Sequence, residues 1–156
     1  MKNLFLYIFF AGLSATINGQ TVQMVQDSQD IQALLDNMAK AWNRHDAAAF
    51  SMAFSEDADF TNAVGTSAYT RDSIEKFHKK SFASLFKNSS LKITGKRIRY
   101  IMGDITEVDA WWEMTGAQAS NGTEIPLRKG LINLVMTRSG DKWLILIMHD
   151  MDLPVS

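Results

Sequence analysis

The chain has no cysteine. Neither a disulfide nor a lipid-bearing cysteine is available to it, and the redox state of its compartment leaves no mark on the composition. It has almost no net charge. The 16 basic and 17 acidic residues leave -1, and removing residues 1–20, whose one charged side chain is Lys2, leaves -2. That is too little of either sign for nucleic acid or an anionic membrane surface. Its longest N-terminal apolar run, Leu4 to Leu13, falls well short of the roughly 20 residues that span a bilayer as a helix. There is no Gly-x-Gly-x-x-Gly, so no nicotinamide or flavin fingerprint, and no cofactor is expected. No repeat, linker or low-complexity segment divides the 156 residues, which make one domain. What is present is an ordinary globular composition, 46% hydrophobic and 21% charged, sufficient for a real core.

Residues 1–20 read as a secretory signal: Lys2 as the positive start, the apolar run, then Ser14 to Gln20 with Gly19 as the small residue before a cut near Gln20. The competing reading is a buried N-terminal helix. Export, periplasmic or secreted, is the expectation, with residues 21–29 as a flexible tail and residues 30–153 as the domain. Asn88-Ser-Ser and Asn121-Gly-Thr fit the glycosylation sequon, which matters only in a eukaryotic host.

Ile31, Leu34, Leu35, Met38 and Trp42 recur at helical spacing, with Asp27 or Ser28 as candidate N-caps. Asp46 caps a short second helix carrying Phe50 and Phe54, and a short strand through Ala58, Phe60 and Asn62 ends at Gly65. Thr70 caps a third helix with Ile74, Phe77, His78, Ser81, Phe82 and Leu85 on one stripe, while Lys76, Lys79 and Lys80 face solvent. From Leu91 the period becomes 2. Turns at Gly103-Asp104, Ser120-Asn-Gly-Thr and Ser139-Gly-Asp separate long strands, the last being Trp143 to Asp152.

Helices first and a strand meander afterwards make an α+β fold, with the N-terminal helices packed on the concave face of a curved antiparallel sheet. The other face still carries Trp111, Leu127, Leu131, Val135 and Leu144, too much apolar area to leave in water. A homodimer through this convex face is expected, against the alternative of a monomer with an apolar patch. In the last strand a regular alternation puts His149 on the face of Trp143 and Ile145, inside, and Asp150 on the other.

Together the patterns Ala41-Trp-Asn-x-x-Asp46, Phe54-x-x-Asp57-Ala-Asp-Phe60, Gly65, Arg71-Asp-x-Ile74 and His78 resemble the nuclear transport factor 2-like superfamily, in its SgcJ/EcaC or SnoaL-like branch. Trp112-Glu-Met, Gly130-x-Ile, Val135 and Trp143-x-Ile145-x-x-x-His149 extend the resemblance over about residues 30–153. It implies a cone-shaped fold: helices close one side of a strongly curved sheet around a deep pocket, commonly in dimers through the sheet. Function in the superfamily ranges from isomerases, cyclases and dehydratases to proteins that only bind, so the fold does not name a reaction.

A ketosteroid-isomerase chemistry would need a carboxylate base, a phenol and a protonated acid. The matching positions are Asn62, Met38 and Ile132, so all three groups are missing. A cyclase-type acid–base has His149, Asp150 and Asp152 as candidates. His149 is preferred for its pKa near neutrality, with His78 as a partner from the opposite wall. Both histidines also admit a purely structural reading. No ligand triplet supports a metal. The expected pocket lining is Trp42, Phe54, Phe60, Asn62, His78, Phe82, Trp112, Met114 and Arg128, where Arg128 either holds an acidic ligand or pairs with Glu113 or Asp150. The function expected is binding of a small hydrophobic or aromatic molecule. An isomerase, cyclase or hydrolase using His149, or an assembly module acting through the sheet, is the alternative. A cavity of roughly 300 Å3 or more favours a ligand, and a cone filled with side chains favours assembly.

Overall fold

The computed structural model describes residues 8–154, with side chains from residue 19. Part of the expected secretory signal, residues 1–7, lies outside the described residues. The elements in chain order are α1 (Ile8–Asn43), α2 (Ala47–Ser51), β1 (Phe54–Thr61), β2 (Ser67–Tyr69), α3 (Arg71–Phe82), β3 (Ser90–Met102), β4 (Ile105–Thr115), β5 (Ala117–Gln118), β6 (Glu124–Ile125), β7 (Arg128–Ser139) and β8 (Lys142–Leu153).

Residues 21–29, expected as a flexible tail, are instead continuous α-helix. The reason lies in Asp27, which does not cap a helix start but turns inward and is buried. Its carboxylate pairs with Arg138, and it accepts from Gln23 Nε2 at 2.9 Å and Trp143 Nε1 at 3.3 Å. The Arg138 guanidinium lies over the Trp143 ring, 4.9 Å from its centroid. A buried carboxylate is tolerated only when paired and hydrogen-bonded, and Arg138 and Trp143, beside the turn that joins β7 to β8, supply both. Tyr100 adds a bond from its hydroxyl to the Met24 carbonyl at 2.9 Å. Downstream the helix follows its apolar stripe, with Ile31, Leu35, Met38 and Trp42 buried.

His45, with φ 54, adopts the left-handed conformation that ends α1. Asp46 caps α2 by accepting from the Ala49 N–H at 2.9 Å. Thr70 caps α3 by accepting from the Ser73 N–H at 3.4 Å. Helix α3 buries Ile74, His78 and Phe82 and leaves Lys76, Lys79 and Lys80 exposed.

The main sheet has the order β2-β1-β8-β7-β4-β3, with β5 and β6 as a separate hairpin. Its pairs are antiparallel except β1 with β8, which run parallel. The sheet is therefore mixed, not wholly antiparallel as expected. β1 follows α2 and lies far from β8 in the chain, so no hairpin joins the two and they are free to pair in parallel. The face toward the helices carries Val108, Ala110, Trp112 and Met114 from β4 and Ile132, Leu134 and Met136 from β7. Together with the α1 and α3 stripes these form one hydrophobic core.

One irregularity in β8 matters for the site. Met136 pairs with Ile145, but Val135 pairs with Ile147, so Leu146 is an extra residue on the β8 side. A bulge of this kind advances the alternation by one. Trp143, Ile145 and Met148 are consequently the buried residues of β8. Beyond the bulge Asp150 and Asp152 share the core-facing side with their register partners Ile132 and Gly130.

Candidate functional site

Two regions hold the residues expected to line a pocket. The first is the interior of the cone. Trp42 from α1, Phe50 from α2, Phe54 and Phe60 from β1, and His78 and Phe82 from α3 are all buried against one another. The His78 ring lies 4.2 Å from Phe50, 5.0 Å from Phe60 and 6.0 Å from Trp42. Its Nδ1 is 2.8 Å from the Ile74 carbonyl, which can only accept, so Nδ1 carries the proton. Burial pushes its pKa down to about 4, only partly offset by that bond. Near neutral pH it is an uncharged core residue. The Trp42 indole N–H donates to Ser89 Oγ at 2.9 Å, fixing the aromatic stack to the start of β3. Side chains occupy this part of the cone, and aromatic edges meet in T-shaped contacts at 5.0 Å between Trp42 and Phe82.

The second region is the mouth, at the far ends of β4, β7 and β8. Trp112 and Gly130 are register partners. A Cβ at Gly130 would fall inside the indole of Trp112 and against the Met151 carbonyl. The glycine therefore lets the indole lie across β7, and its Nε1–H donates to Asp150 Oδ1 on β8 at 2.9 Å. Arg128 sits beside this pair, its guanidinium 5.5 Å from the Trp112 ring centroid and 5.7 Å from that of Phe86. It bonds Asp152 Oδ1 at 2.6 Å. Burial pushes the Asp150 carboxyl up to about 6, against the pull of the Trp112 bond and the Arg128 charge. A carboxyl poised there can donate a proton or accept one near neutral pH. A shallow depression of about 290 Å3, walled by Ile125, Leu127 and Leu153, opens onto Arg128 and Asp152.

The placements of the expected site residues follow from these two regions. Trp42, Phe54, Phe60, His78 and Phe82 belong to the filled interior, and Trp112, Met114 and Arg128 to the mouth side of the sheet. Arg128 pairs with Asp152, whereas Glu113 pairs with Lys129 at 2.9 Å. Asn62 joins neither group. Its Oδ1 accepts from the N–H groups of Thr66 and Val64, at 2.8 and 3.1 Å, so the amide holds the turn around Gly65. Met38 and Ile132, at two of the isomerase positions, are buried core.

His149 is a correction. The bulge at Leu146 puts it on the outer face, exposed and opposite Asn133. It does not face His78, and Asp150 takes the inward position expected for His149. The pairing of Asp150 with Trp112 across a glycine was not anticipated. The signals available were Gly130 and Trp112 themselves, which need a structure to be read as neighbours. Among the described residues no group of three or more His, Cys, Asp or Glu side chains could hold a metal. No described helix is long and apolar enough to cross a membrane.

No curated protein matches the chain in sequence. Solved structures do match in fold. One is an NTF2-like protein with a cystatin-like fold from Novosphingobium aromaticivorans, at TM-score 0.75 and 17% identity, covering 90% of this chain and 91% of that one. A second, from the same organism and provisionally named a scytalone dehydratase, has TM-score 0.74 and 13% identity, covering 86% and 89%. A third, also from that organism and provisionally named an aromatic ring hydroxylase, has TM-score 0.72 and 21% identity, covering 85% and 93%. At these identities the likeness is one of fold. The family model for the SnoaL-like domain matches residues 35–143, from the last third of α1 to the start of β8, and the chain therefore belongs to the SnoaL-like domain family.

Proposed function

We propose that this is an exported, dimeric protein that binds a small planar organic molecule at the mouth of the cone, against Phe86, Trp112 and Arg128. The observation that carries the reading is Asp150. It is a desolvated carboxyl on the helix-facing side of the sheet, held by one indole N–H and with a pKa of about 6. A folded chain keeps a carboxyl in such a place at a cost in stability, which fits a ligand-contacting role. The filled interior argues for a small ligand at the mouth and against a large one deep inside. Two fold neighbours provisionally named a scytalone dehydratase and an aromatic ring hydroxylase are compatible with a planar ligand. The same carboxyl favours a second reading, an isomerase-, cyclase- or dehydratase-type enzyme in which Asp150 moves the proton.

Dimer formation is supported by Trp111, Met151 and Leu153, all exposed large apolar side chains of the outer sheet region. Export is supported by Lys2 and the apolar run after it. Cleavage near Gln20 would leave intact the helical stretch that Asp27 ties to Arg138. Native mass spectrometry of the protein purified from its host tests these parts together. A dimer of chains lacking about the first 20 residues, with a small molecule bound, is expected. A ligand-free monomer of the full-length chain would overturn the reading.

A further inference from the structure

A second opening lies at the other end of β8 from the mouth. β8 begins at Lys142, but β1 begins at Phe54, opposite Ile145. Trp143 and Leu144 thus have no β1 partner on that side, and the gap is closed only by the flank of α1 and the turn after α2. Three of the residues facing the gap from those elements are small, Ala33, Ala49 and Ala53, and they leave space between the larger Leu34, Met38 and Met52. The result is a groove of about 350 Å3 whose floor reaches Met38 and Trp143. Both floor residues belong to the buried core. Met52 stands at its rim with 62% of its surface exposed. A volume of this size, mostly apolar, with two flexible methionines and a few polar groups at its edge, suits a small organic ligand.

The polar edge selects the charge of that ligand. Asp30 and Asp141 face Lys142 around the groove, leaving one negative charge. The Asp30 carboxylate accepts from the neutral Gln26 amide at 2.9 Å, a bond that leaves its charge uncompensated. Asn37 adds an uncharged donor and acceptor. We propose that this groove is a ligand site separate from the mouth, and that it takes an apolar organic cation. The hydrocarbon or aromatic body lies on Leu34, Met38, Met52 and Trp143, and the ammonium group lies by Asp30 and Asp141. The site needs nothing from Asp150 or Arg128, so it stands whether or not the mouth binds a ligand.

Isothermal titration calorimetry of the purified protein, at low salt and neutral pH, tests this with n-octylammonium, n-octanol and n-octanoate. The expected order is ammonium tightest and carboxylate weakest, with octylammonium about tenfold ahead of octanoate. Asp30→Asn weakens the ammonium roughly fivefold and leaves the alcohol unchanged. Ala33→Trp, at an exposed helix position, fills the groove and removes all three. Met52→Lys, also exposed, adds a cation at the rim and weakens the ammonium alone. Absence of octylammonium binding, octanoate binding as tightly as octylammonium, or full binding by a folded Ala33→Trp protein would each overturn the proposal.

Discussion

The interior and the mouth each bury one titratable group, and the same cause moves the two in opposite directions. His78 is surrounded by aromatic rings and is pushed down to about 4. Asp150 sits under an indole beside an arginine and is pushed up to about 6. Desolvation disfavours the charged form of each, imidazolium in one case and carboxylate in the other. The neighbours differ. His78 has only carbon surfaces and one backbone carbonyl, so it acts as a core residue with a polar atom satisfied. Asp150 has an N–H donor and two charged neighbours, Arg128 and Asp152, at an edge that opens outward. Burial alone makes structure at one end of the sheet, and burial with charged company makes a candidate for chemistry at the other.

The largest expected break in this comparison is in the interior. Phe50 touches Trp42, Phe54, His78 and Phe82 and is almost wholly buried. Phe50→Ala should destabilise by about 3–5 kcal/mol through lost burial and an unfilled cavity. Urea denaturation measures it. A loss below about 1 kcal/mol would mean that the interior is not the tight stack described.

The two titrations give the next test, and their signs differ. For His78 the unfolded chain binds a proton more readily than the folded one. Its stabilisation is complete above pH 6.5 and is lost as pH falls toward 4, about 3 kcal/mol in all. For Asp150 the folded chain holds the proton more tightly. Its contribution is complete below about pH 3.8 and is lost as pH rises through 6, again about 3 kcal/mol. His78→Leu should flatten the acid side of the stability profile. Asp150→Asn should make the protein more stable at pH 8 and change nothing at pH 3.5, while the Trp112 bond persists to the amide oxygen. Denaturation series from pH 3.5 to 8 separate the two. Parallel profiles for wild type and either variant would contradict the assigned environment of that residue.

A smaller effect is expected at the mouth. Gly130→Ala drives a methyl into the Trp112 indole. It should cost about 1–3 kcal/mol as overpacking and break the indole bond to Asp150, and loss of the bond that favours the carboxylate should push that carboxyl's midpoint still higher. Tryptophan emission and the Asp150 titration followed by NMR read both. An unchanged titration would show that the indole does not hold the carboxyl.

Much of the fold was legible beforehand. The stripe from Ile31 to Trp42, the Asp46 and Thr70 caps, and the period-2 run of Val108, Ala110, Trp112 and Met114 specify their elements through side-chain spacing alone. The site was less legible, and His149 shows why. Both faces of β8 are apolar from Trp143 to Met148, so a one-residue bulge at Leu146 leaves no break in the hydropathy pattern and yet inverts which of His149 and Asp150 faces inward. Asp27 misled in a related way. Its type and position suit a helix cap, and only Arg138, 111 residues away, makes it an inward anchor.

The sequence by itself determined the order of the main helices and long strands, the Asp46 and Thr70 caps, the turns between the strands and most of the core, because these follow from local spacing and from the cost of leaving apolar groups in water. Only the tertiary structure decided the parallel seating of β1 on β8, the phase of β8 beyond its bulge, and the meeting of Trp112, Gly130, Arg128, Asp150 and Asp152. Each of these depends on contacts between distant segments, and local propensity carries no information about them.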